Sequence, residues 1–256
     1  MKPPILFIHG AFTRAKRWQP WLSYFTAAGH ECIAPSLPGH DPPDPTKLAG
    51  LTFDDYVAVI ADACRRFDQP PIVVGHSMGG LIAQHLAAAS ACAGLVLVSS
   101  TPPWRTGMTR HAVPYAFNYV IPVVTGRPIR ANPKAARNLV LHDLSPEEQN
   151  ELVPIFAYES GKAYRTMVFG GAPMREGAVR CPVLVVSGGA DRLLRPSVGL
   201  KLARFYNAEH LIFPGRGHSL VGESLVGTVA SAVREWIDAL PAPGESAPSF
   251  QNAAVV

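Results

Sequence analysis

The chain has 256 residues, of which 48% are hydrophobic and 16% charged, and it carries a formal net charge of +4. That length suits one large α/β domain or a domain with a sizeable insertion, and the composition excludes a disordered chain. The charge excess lies in residues 102–180, which hold ten Lys/Arg and six Asp/Glu scattered among apolar residues rather than gathered in a run. Nucleic acid is therefore not an expected partner. No apolar run approaches the length of a membrane span. Met1-Lys2-Pro3-Pro4 leads straight into a strand-like stretch with no room for a signal peptide, so a cytoplasmic location is expected. Cys32, Cys64, Cys92 and Cys181 are widely spaced, without metal-ligand rhythm, and are expected to be buried free thiols.

In chain order, Ile5-Leu6-Phe7-Ile8 reads as a buried strand ending at His9-Gly10. Residues 13–28 are helical in pattern, with Trp18, Trp21, Leu22 and Phe25 on one face and Gly29 as the stop. A short strand at 31–34 precedes a proline-rich loop that contains Pro38-Gly39-His40. Thr52 is placed to cap a helix over 53–67. Ile72-Val73-Val74 is the central strand, and an alanine-rich helix over 78–90 follows it directly. Further strands are read at 94–100, 181–187 and 210–213, with helices at 200–206 and 225–240.

Strands alternating with helices predict an α/β fold with a mostly parallel sheet of about six strands, covered on both faces. Residues 1–101 and 181–240 form its core. Residues 102–180 are too long for an ordinary connection and read as a helical cap inserted after the fourth strand, with helical stretches at 110–120, 133–141, 146–158 and 162–169. Some of its aromatic residues are expected to line an apolar pocket. Residues 241–256 read as a disordered tail.

The chemistry concentrates where Gly75-His76-Ser77-Met78-Gly79-Gly80 joins the central strand to its helix. A Cβ at Gly75 or Gly79 would collide with neighbouring backbone, and the turn holds Ser77 in a strained conformation that exposes its hydroxyl. A serine hydroxyl needs a base, and the base needs an orienting acid. His218, in Gly215-Arg216-Gly217-His218, and Asp191, in Gly188-Gly189-Ala190-Asp191, each follow a strand at its carboxyl end. The other position for the acid, Ser99-Ser100-Thr101 after the fourth strand, has no carboxylate. Two backbone N–H groups are needed for the developing oxyanion: that of Met78 and that of Ala11, with Phe12 as the alternative. His9 is expected to brace its loop, His40 to serve loop geometry, and the His76 side chain to point beneath the turn.

These motifs together resemble the α/β-hydrolase-fold serine hydrolases over about residues 5–240. The compact sheet is similar to those of the plant methyl esterase and hydroxynitrile lyase group and of compact bacterial carboxylesterases. The resemblance implies a serine esterase with a Ser77–His218–Asp191 triad, no metal or other cofactor, and a small-molecule substrate of moderate size that is mainly apolar, and the cationic excess of residues 102–180 favours an acidic group on it. A serine nucleophile argues against epoxide hydrolase and dehalogenase chemistry. Arg192 stands where the lyases carry a lysine, which lowers the lyase reading. Thioester or lactone cleavage, a non-hydrolytic tailoring reaction and a small-molecule receptor are alternatives on the same scaffold. The sequence leaves the oligomeric state open.

Overall fold

The computed structural model describes residues 2–241 and 254–255. Its sheet carries, in chain order, β1 (Ile5–Ile8), β2 (Cys32–Ile33), β3 (Ile72–His76) and β4 (Gly94–Val98). A two-stranded ribbon, β5 (Ile129–Arg130) and β6 (Tyr158–Glu159), stands apart, and β7 (Val183–Gly188), β8 (Glu209–Phe213) and β9 (Ala254–Val255) complete the sheet. The strand order is β2-β1-β3-β4-β7-β8-β9, with every pairing parallel. All carboxyl ends of the strands therefore face one edge.

Period-2 alternation divides the strand side chains between two cores. Leu6, Ile8, Val73, Leu95, Leu97 and Val185 pack on one face, beneath α2 (Phe53–Cys64) and α3 (Met78–Ala89). Ile5, Phe7, Val74, Val96, Leu184 and Val186 pack on the other, against α1 (Gln19–Ala27) and the closing helix Ser231–Asp238. The near-continuous apolar runs of β1, β3 and β4 follow from burial on both faces.

Helix ends agree with their sequence signals. The Thr52 side chain caps α2 and completes a capping box with Asp55. Ser145 and Glu148 form a second box at Pro146–Leu152.

The parallel sheet of about six strands and the mainly helical inserted segment are as expected, each with one addition, and two other expectations need correction. The sheet has a seventh strand, since Ala254–Val255 pairs with β8, whereas the rest of the expected tail, residues 242–253 and 256, lies outside the described residues. The inserted segment is not purely helical, because β5 and β6 pair antiparallel within it. The closing helix does not run unbroken from 225, because residues 226–230 form a π turn before Ser231–Asp238. Only Cys64 among the cysteines is buried, and Cys32, Cys92 and Cys181 are partly exposed, though all four are free. Among the described residues no helix is long and apolar enough to cross a membrane.

Candidate active site

The strand-to-helix turn is as tight as its glycines require. Ser77 has φ 54 and ψ −119, a left-handed conformation that a side chain rarely adopts. A Cβ on Gly79 would overlap the Ile8 and His9 carbonyl oxygens, and one on Gly75 would overlap the Gly79 backbone. The Ser77 carbonyl accepts the N–H groups of Gly80 at 3.0 Å and Thr101 at 3.1 Å. A peptide unit is planar and trans, so holding that carbonyl also fixes the direction of the Met78 N–H on its far side.

His218 and Asp191 are joined directly, with the His218 Nδ1–H donating to Asp191 Oδ2 at 2.8 Å. Both side chains are almost fully buried. The other Asp191 oxygen, Oδ1, accepts the Leu193 and Leu194 N–H groups at 2.7 and 2.9 Å. Asp191 is thus both a turn cap and the partner of His218, and three hydrogen bonds aim its carboxylate. The direction of His218 is set by His76. The His76 Nε2–H donates to the His218 carbonyl at 2.9 Å, and the two rings lie 5.0 Å apart. Burial, followed by the nearby His218 ring, lowers the His76 pKa to about 3, so the ring is neutral and has a proton to donate. His76, expected to point beneath the turn, lies against His218.

The loop after β1 is fixed by His9, Thr13 and a distant carboxylate. The Gly10 carbonyl accepts from His9 Nδ1 at 2.9 Å and from the Thr13 hydroxyl at 2.9 Å. His9 Nε2 in turn accepts the Leu37 N–H at 2.9 Å. Burial lowers the His9 pKa to about 3, keeping this donor–acceptor pattern in its neutral form. The Ala11 N–H shares a peptide with the Gly10 carbonyl and so points the opposite way. Phe12, with φ 64, donates its N–H to Glu159 Oε2 at 3.2 Å. The Phe12 N–H is thereby engaged by Glu159.

Glu159 itself is fully buried. It also accepts from Tyr56 Oη at 2.7 Å, the Ser160 N–H at 2.7 Å and His40 Nε2 at 3.1 Å, while His40 Nδ1 donates to the Pro38 carbonyl at 3.0 Å. Burial opposes charge on both partners. For His40, the Glu159 carboxylate and its hydrogen bonds outweigh burial, and the pKa is raised. For Glu159, the His40 charge and the bonds from His40, Tyr56 and Ser160 outweigh burial, and the pKa is lowered. The pair is a buried ion pair across the core and the inserted segment. No motif marks Glu159 in the sequence; a carboxylate in an apolar stretch was its only signal.

Ser77, His218, Ala11 and Phe12 all open onto one cavity of ≈ 440 Å³. The inserted segment roofs it with Tyr115, Tyr119, Phe156, Tyr164, Met167 and Phe169. Phe12 packs against Tyr119 and Tyr164, at ring separations of 6.0 and 5.3 Å. The space is the size of a drug-like ligand and mostly apolar.

The model of the alpha/beta hydrolase family matches residues 5–232. The chain belongs to the alpha/beta hydrolase family. Within that family it is 30% identical to a pyrethroid hydrolase of Sphingobium wenxiniae over 141 residues, which is 50% of this chain and 50% of the relative. The chain thus spans about half the length of that curated relative. The solved pyrethroid hydrolase of Sphingobium faniae JZ-2 superposes with a TM-score of 0.73 at 24% identity, covering 93% of this chain and 98% of that one. The methylesterase MES16 of Arabidopsis superposes with a TM-score of 0.71 at 15% identity, covering 91% and 98%. At these identities the solved structures establish the shared fold of this hydrolase-family chain.

Proposed function

We propose that this protein is a serine hydrolase of carboxylic esters that works without a metal or other cofactor. Ser77 Oγ attacks the ester carbonyl while His218 Nε2 takes its proton. Asp191 holds the Nδ1 tautomer and stabilises the imidazolium. The Met78 and Ala11 N–H groups receive the tetrahedral oxyanion. His218 then returns the proton to the leaving alcohol, and water activated by the same imidazole cleaves the acyl-enzyme.

The observation that carries this reading is the 2.8 Å bond between His218 and Asp191 at the wall of the cavity onto which the strained Ser77 opens. The pinned Gly10 and Ser77 carbonyls support the roles of Ala11 and Met78. The names of two relatives, a pyrethroid hydrolase and a methylesterase, favour an ester over other acyl compounds. Residues 102–180 act as a cap that sets acyl size. Purified wild type is expected to hydrolyse short p-nitrophenyl esters, and Ser77→Ala to lose that turnover. Ester hydrolysis that survives in Ser77→Ala removes Ser77 as nucleophile.

A further inference from the structure

Arg17 lies in the short helical turn Ala15–Trp18, on the wall of the cavity that holds Ser77 and His218. Its Nη2 donates to Ser219 Oγ at 2.5 Å, one residue from the base. Among the described residues no carboxylate lies within salt-bridge distance of the guanidinium, although several other arginines have such partners. The acid whose charge reaches it, Glu148, is held by the Ser145 N–H at 3.0 Å and the Ser224 hydroxyl at 2.8 Å. Burial lowers the Arg17 pKa to about 10, which leaves the side chain cationic at neutral pH. Arg105, also on the wall, is exposed and lies over the Phe169 ring at 5.7 Å. Arg17 is thus the inner cation of a largely apolar chamber.

A guanidinium has five N–H donors, and a cation partly withdrawn from water is favoured when an anion accompanies it. Its planar fork matches a carboxylate. We infer that Arg17 forms a subsite for a free carboxylate on the substrate, so that the preferred ester is one whose apolar body carries a second, ionised carboxyl group. This rests on the proposed hydrolase reading and narrows its substrate class. The bound carboxylate also cancels a positive charge near the imidazole that must itself become positive during turnover, so it favours kcat as well as KM.

The test compares p-nitrophenyl monoesters of glutaric and adipic acid with the same esters capped as methyl esters, using wild type, Arg17→Gln and Arg17→Lys. The ratio of kcat/KM for the charged ester to that for its capped partner is expected to fall about tenfold or more in Arg17→Gln and to recover in part in Arg17→Lys. An unchanged ratio in both variants overturns the subsite. Binding of monomethyl glutarate to Ser77→Ala and to Ser77→Ala/Arg17→Gln is measured by calorimetry alongside. Weaker binding on loss of Arg17 supports the subsite even if no ester is turned over, in which case the hydrolase reading alone fails. Equal binding by the two variants counts against the subsite whatever the turnover. Arg17→Lys keeps the comparison available if Arg17→Gln does not fold.

Discussion

The Phe12 N–H donates to Glu159 Oε2 at 3.2 Å, so a carboxylate from the inserted segment fixes the loop that follows the first strand. The Phe12 carbonyl accepts the Ala157 N–H at 2.9 Å, giving the loop a second tie to the same ribbon. The roof of the cavity and the loop after β1 are therefore one mechanical unit. The Phe12 φ of 64 is maintained by both contacts.

Removing the centre of that unit is expected to be costly. Glu159→Ala removes the carboxylate that keeps His40 protonated, so the buried ring turns neutral, and it leaves the Tyr56 hydroxyl and the Phe12 and Ser160 N–H groups without their acceptor. A loss of about 3–5 kcal/mol is expected in urea unfolding. Tyr56→Phe removes a neutral donor and should cost less, about 1–2 kcal/mol. Equal stability of Glu159→Ala and wild type would rule out the ion pair.

Stability should peak near pH 6.5. The raised pKa of His40 gives a contribution that is complete below the ordinary histidine value and is lost as pH rises through the raised one. The lowered pKa of Glu159 gives one that is complete above the ordinary glutamate value and is lost as pH falls through the lowered one. His9 and His76 act in the opposite sense to His40. Their values near 3 mean that the unfolded chain binds the extra protons, so stability falls as pH drops from about 6.5 towards 3, by up to about 1.4 kcal/mol per pH unit for each ring. Urea midpoints measured from pH 8 to pH 4 test this, and a midpoint that stays level from 6.5 to 4 contradicts it.

Ser77 stores strain. Ser77→Gly removes the Cβ from a residue at φ 54, where glycine is at ease, and should stabilise the fold by about 1 kcal/mol while abolishing ester turnover. A variant that is less stable than wild type would show that the turn is not strained.

His76 is a positioning residue acting through the His218 backbone. His76→Phe keeps the ring and loses the donor to the His218 carbonyl. Turnover is expected to fall about tenfold in kcat with KM little changed, because the base is misplaced rather than substrate binding weakened. A change confined to KM would assign His76 to substrate contact instead.

What could be read from sequence was what is local. The turn around Ser77 is a strand, two required glycines and a helix within a few residues, and its geometry follows from sterics alone. Asp191 and His218 were legible because each directly follows a strand, and parallel strands bring their carboxyl ends to one edge. Contacts between distant segments left no pattern. Glu159 lies 147 residues from Phe12, and β5 and β6 are two residues each, too short to show alternation. His76 could not be aimed because its partner is a backbone carbonyl 142 residues away. Ala254–Val255 is a two-residue strand, with no alternation that would mark it.

The most direct measurement is to treat the protein with an alkyl p-nitrophenyl phosphonate, which forms a stable adduct with an activated serine, and to map the modified peptide by mass spectrometry. One adduct per chain on Ser77, lost in His218→Ala, is the expected result. An adduct on another residue, or a Ser77 that stays unmodified in protein that hydrolyses esters, would contradict the account.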